Sequence, residues 1–281
     1  MSDYTLEELL IARMAKEFSG ERIAVGATIL SDLSARLAKA LYVPDAMLLT
    51  HSRAAADPVL TPKGLNEEWS LTPSAASFLG WPEMFDMIAQ GMLQIWIGTV
   101  QIDKHGNSNI SVVGTWDKPA VQLVGARGVP DDLWGCERLC YHLRKHNKRA
   151  FVDKVDFVCG LGYGPERNRL KLDRGWPGTV VSDLGVFGWD EEAGHMKIET
   201  LHPGVTFAEV QAKTEFTWPA KHGESFPETA APTEEELHWI REKLDPRGIR
   251  RLESTEASDE LLQSLWAEEA LQILKTKRVS P

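Results

Sequence analysis

Four short clusters combine glycine with polar side chains that can hold an anion, polarise a carbonyl group or position a water molecule. Each cluster accompanies a segment that the pattern of apolar residues predicts as a strand or a hairpin. Because the carboxyl ends of parallel strands meet at one edge of a sheet, we expect the clusters to lie near each other. They are Gly26-Ala27-Thr28, Thr50-His51-Ser52-Arg53, the turn that carries Asn107 and Asn109, and Gly125-Ala126-Arg127-Gly128.

Arg127 is a candidate catalytic residue because its guanidinium group stays charged at physiological pH. The flanking Gly125 and Gly128 predict a turn with exposed backbone amides. Such a loop can bind a substrate, while Arg127 stabilises an oxyanion or clamps a carboxylate through two hydrogen bonds. The alternative is a surface arginine that pairs with Asp131 or Asp132.

The other candidates each have a catalytic or binding interpretation and a structural one. His51 can orient water or a substrate carbonyl, since histidine titrates near neutral pH, or it can cap a strand end as a neutral residue. Asn107 and Asn109 can donate hydrogen bonds to a substrate, or they can serve the turn around Gly106. The hydroxyl of Thr28 and the amides of the helix that follows can hold an oxygen atom, or Thr28 is a helix cap.

No metal site is predicted. His142 and His146 lie on a basic stretch and are expected to face solvent. Cys136 and Cys140 are predicted as a helical i,i+4 pair, and with Cys159 they match no standard zinc spacing. All three cysteines are therefore expected to be buried, reduced thiols.

Composition and charge exclude several classes of partner. The 281 residues include 31 Lys and Arg against 41 Asp and Glu, which gives a net charge of −10 and no global basic field for nucleic acid. The basic residues within 144–149 either meet phosphate groups of a substrate or form a solvated helix end. Apolar runs fall short of the roughly 18 residues of a membrane span, and the start lacks a leader pattern, so a cytoplasmic protein without membrane contact is expected.

Helical spacing of apolar residues predicts helices over 6–18, 28–40, 84–90, 133–143, 207–214, 233–245 and 261–274. Short apolar runs predict strands over 22–26, 46–50, 94–98, 120–125, 150–152, 155–159, 179–181 and 195–201, with a hairpin over 101–110. This alternation predicts an α/β fold with a mainly parallel open sheet layered by helices. We expect one domain over 1–250 and a C-terminal helical extension over 251–281.

Three motifs in this order resemble the β subunit of family I CoA-transferases, over roughly residues 4–247. They are Val25-Gly26-Ala27-Thr28, Tyr42-Val43-Pro44-Asp45 and Q-I-D-x-x-G-N-x-N at 101–109. The resemblance implies the α/β fold of that family and an acyl-CoA substrate, of which CoA is a part rather than a separate cofactor. It also implies an α subunit as partner, in a heterotetramer.

One position departs from the transferase pattern. In family I CoA-transferases a glutamate after the strand that follows Y-x-P-D carries the covalent thioester, and the resemblance puts His51 at that position. An imidazole cannot form a glutamyl thioester, so CoA transfer by this route is disfavoured.

Further motifs resemble a narrower branch, the β subunits of CoA-thioester hydrolases that open the last steroid rings in bacterial cholesterol catabolism. The motifs are R-G-x-P at 127–130, F-V-D-x-V-D at 151–156, S-D-L-G-V-F at 182–187 and L-H-P-G-V-T at 201–206. In that branch the catalytic carboxylate comes from the α subunit. The resemblance implies an enzyme that cleaves a C–C bond in a cyclic ketone CoA thioester, with Arg127 and His51 as catalytic residues.

Two other functions stay open. A CoA-transferase that draws its carboxylate from another loop, such as Glu67 or Glu68, would move CoA between carboxylic acids. A non-catalytic subunit would only bind the CoA ester or act as a scaffold for its partner.

Overall fold

The computed structural model describes residues 3–20, 22–24, 28–49, 55–65, 74–219, 224–254 and 257–277. The chain divides into two compact units, one formed by residues 1–81 with 232–281 and the other by residues 82–231. No helix among the described residues combines the length and the apolar character that crossing a membrane requires. The predicted domain boundary near residue 250 stays a prediction.

The first unit is built from both ends of the chain. Its strands are β1 (Arg22–Ala24), β2 (Met47–Leu49), β3 (Ala55–Ala56) and β4 (Ser77–Phe78). β1 and β2 are parallel, whereas β3 pairs antiparallel with both β2 and β4. The helices are Leu6–Ala15, Ile29–Leu41, Glu234–His238 with a wider π-helical turn over Trp239–Leu244, a 3₁₀ turn over Ile249–Glu253, and Asp259–Lys277.

Capping boxes start three helices of this unit, and each follows from the local sequence. Thr5, Thr28 and Thr233 each accept a hydrogen bond from the third helical amide, and that residue's side chain bonds back to the cap. A threonine with glutamate or serine three residues later satisfies two amides that the helix itself leaves unpaired. The cap predicted at Thr233 is confirmed.

The first unit also contains a buried carboxylate network that joins distant segments. Glu8 is 1% exposed, and its carboxylate accepts hydrogen bonds from Arg241 Nε at 2.9 Å and from Arg250 Nη2 at 2.8 Å. Burial alone would raise the pKa of Glu8, but the two arginines and the Thr5 amide stabilise the charged carboxylate more strongly, so the pKa is lowered. The first helix is therefore fixed to the segment that follows Glu234–His238.

The second unit contains a mixed sheet of five strands, β5 (Gln94–Gly98), β10 (Arg138–His142), β12 (Pro177–Val181), β13 (Gly185–Asp190) and β14 (His195–Leu201). Their order in the sheet is β14-β13-β12-β10-β5. β10 lies between β5 and β12 and is parallel to both, whereas β13 and β14 continue the sheet antiparallel. The helices of this unit are Trp81–Ala89, which starts at the boundary, Val129–Gly135, Pro165–Arg169 and Phe207–Ala212.

Two smaller sheets belong to the second unit. β6 (Gln101–Asp103) and β7 (Ser108–Asn109) form the predicted hairpin, and β6 also pairs in parallel with β11 (Phe151–Val152). Gly106 in its turn has φ 81°, and a Cβ there would lie 2.5 Å from the Trp189 ring, so glycine is required. β8 (Val112–Gly114) and β9 (Pro119–Gln122) form a separate two-stranded hairpin.

The α/β class is confirmed, but the predicted helix over 133–143 is wrong. The helix Val129–Gly135 stops at a glycine that packs on the Ile88 carbonyl, and β10 follows directly. Leu139, Tyr141 and Leu143 are buried, and so are the residues between them. A strand covered on both faces has no two-residue alternation, so periodicity does not separate it from a helix.

The same error affected the cysteines and histidines of this region. Cys136 follows the end of the helix and Cys140 lies in β10, so they form no helical pair, although all three cysteines are free and buried as predicted. His142 and His146 are 1% and 2% exposed, which contradicts the expectation that they face solvent. His146 is held in the core by Ser182 Oγ and Thr214 Oγ1, at 3.0 and 2.9 Å.

Three other segments differ from prediction. The buried strand expected over 120–125 is β9, whose residues are all exposed. Residues 155–159 form no strand, and only an isolated bridge joins the adjacent Gly160 to Ser108. β13 was not predicted, because its run from Gly185 contains two glycines, which are typical of a loop.

Candidate functional site

The loop that carries Arg127 connects β9 to the helix Val129–Gly135, and its backbone is unusual. Gly125 has φ 90°, which favours glycine, and Arg127 itself has φ 51°, in the left-handed region that non-glycine residues rarely adopt. The amide of Val129 donates to the carbonyl of Ala126 at 3.1 Å, which closes the turn. A strained backbone conformation is consistent with a residue whose position serves a binding or catalytic role.

The Arg127 side chain is exposed and forms no hydrogen bond or ion pair with any residue that the structure describes. The structural alternative, a salt bridge to Asp131 or Asp132, is therefore not formed. An exposed guanidinium with all five donors available can bind an oxyanion or a carboxylate from a substrate or from another subunit. This observation favours the functional interpretation of Arg127, which stays a prediction.

Asp132 lies close to this loop, and the sequence indicated it only as a possible ion-pair partner of Arg127. A Cβ on Gly128 would lie 3.2 Å from Asp132 Oδ2, so the carboxylate packs against the Gly128 backbone. Burial, with a smaller contribution from the charge of Asp131, raises the pKa of Asp132 to about 6. Its carboxylate has no hydrogen-bond partner among the described residues. The only sequence feature that could have indicated a role for Asp132 is its position, as an acidic residue in the first turn of the helix that follows the Arg-Gly pair.

Asn109 is built into the hairpin rather than directed at a substrate. Its Nδ2 donates to Gln101 Oε1 and to the Val112 carbonyl, both at 2.7 Å, and its Oδ1 accepts from the Ser111 amide at 2.9 Å. The residue is fully buried. These contacts use both donors and one acceptor site of the carboxamide, so they favour the structural interpretation.

Asn107 is also occupied by contacts within the chain. Its Nδ2 donates to Asp103 Oδ2 at 2.8 Å, and its Oδ1 accepts from the Gly162 amide at 2.9 Å. Asp103 Oδ1 in turn accepts from the amides of His105 and Asn107, while burial raises the pKa of Asp103. The Q-I-D-x-x-G-N-x-N motif therefore encodes a turn held by an aspartate and two carboxamides.

Thr28 caps the helix Ile29–Leu41. The sequence predicted that this helix end could bind an oxygen atom of a substrate, but a carboxylate of the same chain binds there. The Thr28 hydroxyl accepts from the Ser31 amide at 3.2 Å. The amides of Ile29 and Leu30 donate to the carboxylate of Glu253 at 3.0 and 3.3 Å. An anion already occupies the end of this helix, which favours the structural interpretation of Thr28.

Several predicted site residues lie outside the described residues: Gly26, Ala27, Thr50, His51, Ser52, Arg53, Glu67 and Glu68. In the parts of the chain that are described, no group of three or more His, Cys, Asp or Glu side chains could hold a metal ion. Among the described residues of the second unit, the structure therefore brings together Gly125, Arg127 and Gly128 in one loop, with the carboxylate of Asp132 beside it.

Comparison with known proteins places these observations in a family. Residues 11–213 match the family model described as Coenzyme A transferase. The chain is 34% identical over 258 residues to the cholesterol ring-cleaving hydrolase IpdB subunit of Rhodococcus jostii, covering 89% of this chain and 96% of the relative. It is 30% identical over 247 residues to one of the subunits of the 3-oxoadipate CoA-transferase of Pseudomonas knackmussii, covering 86% and 94%.

A solved structure supports the same relationship. The crystal structure of Rhodococcus jostii IpdAB contains a chain that superposes with a TM-score of 0.77 at 32% identity, covering 90% of this chain and 99% of that one. The match to the family model and the high coverage of these relatives together show that this chain belongs to the coenzyme A transferase family.

Proposed function

We propose that this chain is the β subunit of a heteromeric hydrolase that opens a ring in a cyclic ketone CoA thioester of steroid catabolism. The similarity to the cholesterol ring-cleaving hydrolase IpdB subunit over 96% of that relative carries the proposal. Arg127 supports it, because its exposed side chain has no partner among the described residues and the reaction needs a cation at a developing oxyanion. The cytoplasm and a heterotetramer with the α subunit are part of the proposal.

The reaction is a hydrolytic retro-Claisen cleavage. A base takes a proton from water, and the resulting hydroxide adds to the ring ketone to form a tetrahedral oxyanion. As the oxyanion collapses to a carboxylic acid, the bond to the neighbouring ring carbon breaks and its electron pair moves onto that carbon as an enolate. A proton then neutralises the enolate, so one water molecule is consumed and no cofactor is required.

In this proposal Arg127 faces the oxyanion or the departing enolate, where its fixed charge needs no protonation change. His51 holds water or the substrate carbonyl. The catalytic carboxylate belongs to the α subunit, since the resemblance puts His51 at the position where transferases carry their glutamate. Gly125 and Gly128 contribute backbone amides to the substrate, and their proximity to Arg127 in one turn supports that role.

Oxygen labelling tests the proposal directly. The co-expressed complex would be incubated with a ring-ketone CoA thioester in ¹⁸O-labelled water, and the products analysed by mass spectrometry. We expect a ring-opened CoA product with one labelled oxygen in the new carboxylate. A ring-opened product without label contradicts hydrolysis by water.

A CoA-transferase is the alternative, favoured by the 30% identity to the 3-oxoadipate CoA-transferase chain. After treatment with an acyl-CoA, its glutamyl-CoA thioester would add the mass of CoA less one water to this chain, and borohydride would reduce the thioester to an alcohol and release CoA. A mass shift on a peptide that contains Glu67 or Glu68 would establish this alternative.

A further inference from the structure

The C-terminal helix Asp259–Lys277 is a part of the chain to which the proposed function gives no role. It lies outside residues 11–213, which match the family model. Leu265 and Glu269 are 3% and 6% exposed and lie one helical turn apart, so they form the side that packs on the first unit. Every other residue of 262–271 is exposed, so most of the helix surface is open to another molecule.

Hydrogen bonds from two other segments fix the orientation of this helix. Arg247 donates through Nη1 to Glu269 Oε2 at 2.9 Å and through Nη2 to the Leu265 carbonyl at 2.5 Å. The Leu65 amide donates to Glu269 Oε2 at 2.8 Å. The helix cannot roll without breaking these contacts to a buried carboxylate, which would cost free energy. Its outer surface therefore keeps one orientation on the first unit.

A row of apolar residues runs along this outer surface. Leu262 and Trp266 are 38% and 51% exposed, and Ala270, one turn further, is also exposed. These three residues, here called the helix row, lie within an arc of about 80° because each residue turns the helix by about 100°. Leu271 lies about 140° from Trp266 and so outside the row. Contiguous exposed apolar side chains mark interaction surfaces more often than isolated ones do.

The charges of this C-terminal segment are separated along its length. All acidic residues of 257–281 lie before residue 270, and all basic residues lie after residue 274. The acids are Asp259, Glu260, Glu268 and Glu269, and the bases are Lys275, Lys277 and Arg278. Arg247 pairs with Glu268 and Glu269, at 3.5 and 2.9 Å. The acidic charge that Arg247 leaves available is therefore at the amino-terminal end, and the basic charge is at the other end.

Charged residues of the elements packed against the helix are mostly bound within the first unit. In the 3₁₀ turn that contacts the helix, Arg250 and Glu253 bond to other segments of the chain. The exposed Arg251 adds one cation and donates through Nε within its own turn. Lys63, near the Leu65 amide, is buried against Asp32. The separation of charge along the helix is thus the main difference between its two ends.

We propose that two copies of this chain pair through the helix row, with the two helices antiparallel about a two-fold axis. Such a contact requires a surface that complements itself. When Trp266 of one copy packs against Ala270 of the other, the same register puts Asp259 opposite Lys277 of the second copy, because both lie seven residues outside that contact. A large side chain then meets a small one, and acid meets base at both ends of the pair.

Other arrangements and occupants agree less well with these observations. A parallel pair would bring the acidic ends together and the basic ends together, and the two helix dipoles would repel each other. A helix that lies on a membrane carries Lys and Arg along its polar face, whereas the first half of this helix is acidic. The inference does not rest on the proposed function, because pairing requires no substrate.

Sedimentation velocity of the full chain, over a series of protein concentrations, tests the pairing. Leu262→Asp puts a charge into the helix row, and Leu271→Asp makes the same substitution outside it on the same helix. Trp266→Gln is a milder variant that keeps a residue with good helix propensity. Circular dichroism and thermal melting check that each variant folds.

We expect the wild-type chain to form a dimer that dissociates on dilution. The dissociation constant should rise at least about 100-fold in Leu262→Asp and at least about 10-fold in Trp266→Gln, since each contact occurs twice in a two-fold pair. Leu271→Asp should pair as the wild type does. A monomeric wild type at every concentration, unchanged pairing in Trp266→Gln, or an equal loss in Leu271→Asp would overturn the inference.

A charge exchange tests the antiparallel arrangement. Asp259→Lys and Lys277→Asp should each raise the dissociation constant about threefold or more, and the double variant should restore it, because acid again meets base. Failure of the double variant to restore pairing contradicts this arrangement. The helix row has a different occupant, and the proposal is wrong, if Leu262→Asp leaves the dimer intact but blocks binding of the source organism's counterpart of the other IpdAB subunit.

Discussion

The carboxylate of Asp132 packs directly against the backbone of Gly128, where a Cβ would lie 3.2 Å from Oδ2. The contact joins the first turn of the helix Val129–Gly135 to the loop that carries Arg127. Because the carboxylate is half-buried and has no described hydrogen-bond partner, its charged form is disfavoured.

Asp132→Asn should stabilise the isolated chain at alkaline pH. The pKa of Asp132 is raised from 3.8 to about 6, so the stability that its protonated form provides is complete below pH 3.8 and is lost as pH rises through 6. The neutral asparagine escapes this loss. We expect the variant's advantage in unfolding free energy to be about 2 kcal/mol larger at pH 8 than at pH 4, after allowance for solvent screening.

Urea unfolding of the wild type and the variant at both pH values measures this difference. Asp131→Asn is the control, because Asp131 is exposed and contributes only the smaller part of the shift. An advantage of equal size at pH 4 and pH 8 contradicts the assignment.

Arg127→Gly should separate stability from activity. Glycine adopts φ 51° without the penalty that a side chain incurs there, so we expect the variant to be about 1 kcal/mol more stable to denaturant. The same change should lower kcat of the assembled enzyme about 100-fold or more, with a smaller effect on KM, if the guanidinium binds the transition state.

Arg127→Ala and Arg127→Lys refine this result, since lysine keeps the charge but not the two-pronged donor geometry. Arg169→Ala, at an exposed arginine whose ion-pair partner Glu166 is also exposed, is the control. A variant that loses substrate affinity while kcat is maintained would assign Arg127 to binding alone and favour the non-catalytic subunit.

His142→Leu should reduce the amount by which the free energy of unfolding falls in acid. His142 is 1% exposed, neither ring nitrogen has a partner among the described residues, and burial with the nearby Arg144 lowers its pKa to about 4. The unfolded chain takes up a proton near pH 6.5, whereas the folded chain does so only near pH 4. Stability present above pH 6.5 is therefore lost as pH falls between these values, by about 3 kcal/mol for this residue.

Denaturant unfolding at pH 7 and pH 4.5 reports the effect, and the exposed His238→Gln serves as the matched control. We expect the His142→Leu chain to lose less stability than the wild type over this interval. Equal losses of stability in the wild type and the variant would contradict the lowered pKa of His142 in the folded chain.

Asn109→Ala should destabilise the fold rather than weaken substrate binding. The change leaves the Val112 carbonyl and the Ser111 amide without their partner in a buried hairpin. Unsatisfied buried groups of this kind cost about 1–3 kcal/mol each, so we expect a loss of about 2–4 kcal/mol in unfolding free energy. Gln122→Ala on the exposed hairpin is the control. A stable variant with a raised KM would restore the substrate-binding role.

Much of the fold follows from the sequence because its signals are local. The limits of β5 and β14 and the Thr233 cap match their predictions, since a short apolar run and a threonine-glutamate pair need no distant context. β10 was predicted as helix because burial on both faces removes the alternation that identifies strands. That burial depends on neighbours far away in the chain.

The candidate site likewise contains residues that the sequence identifies and residues that it does not. Arg127 was found from its charge and its flanking glycines, and its lack of a described partner agrees with that interpretation. Glu253 at the amides of Ile29 and Leu30 could not be predicted, because more than 220 residues separate these groups in sequence. Asp132 gained its raised pKa from burial, which no local motif encodes.

The ion pair between Glu8 and Arg241 has a consequence for how the protein is made. The two residues are 233 positions apart, so at about 5–20 residues per second a ribosome exposes the carboxylate roughly 10–50 s before its arginine. During that interval the amino-terminal helix lacks the cation that makes burial of Glu8 favourable. The continuous segment 82–231 is by then fully synthesised. Nascent chains should therefore complete the segment 82–231 first, and the unit that pairs Glu8 with Arg241 should form only after Arg241 has been synthesised.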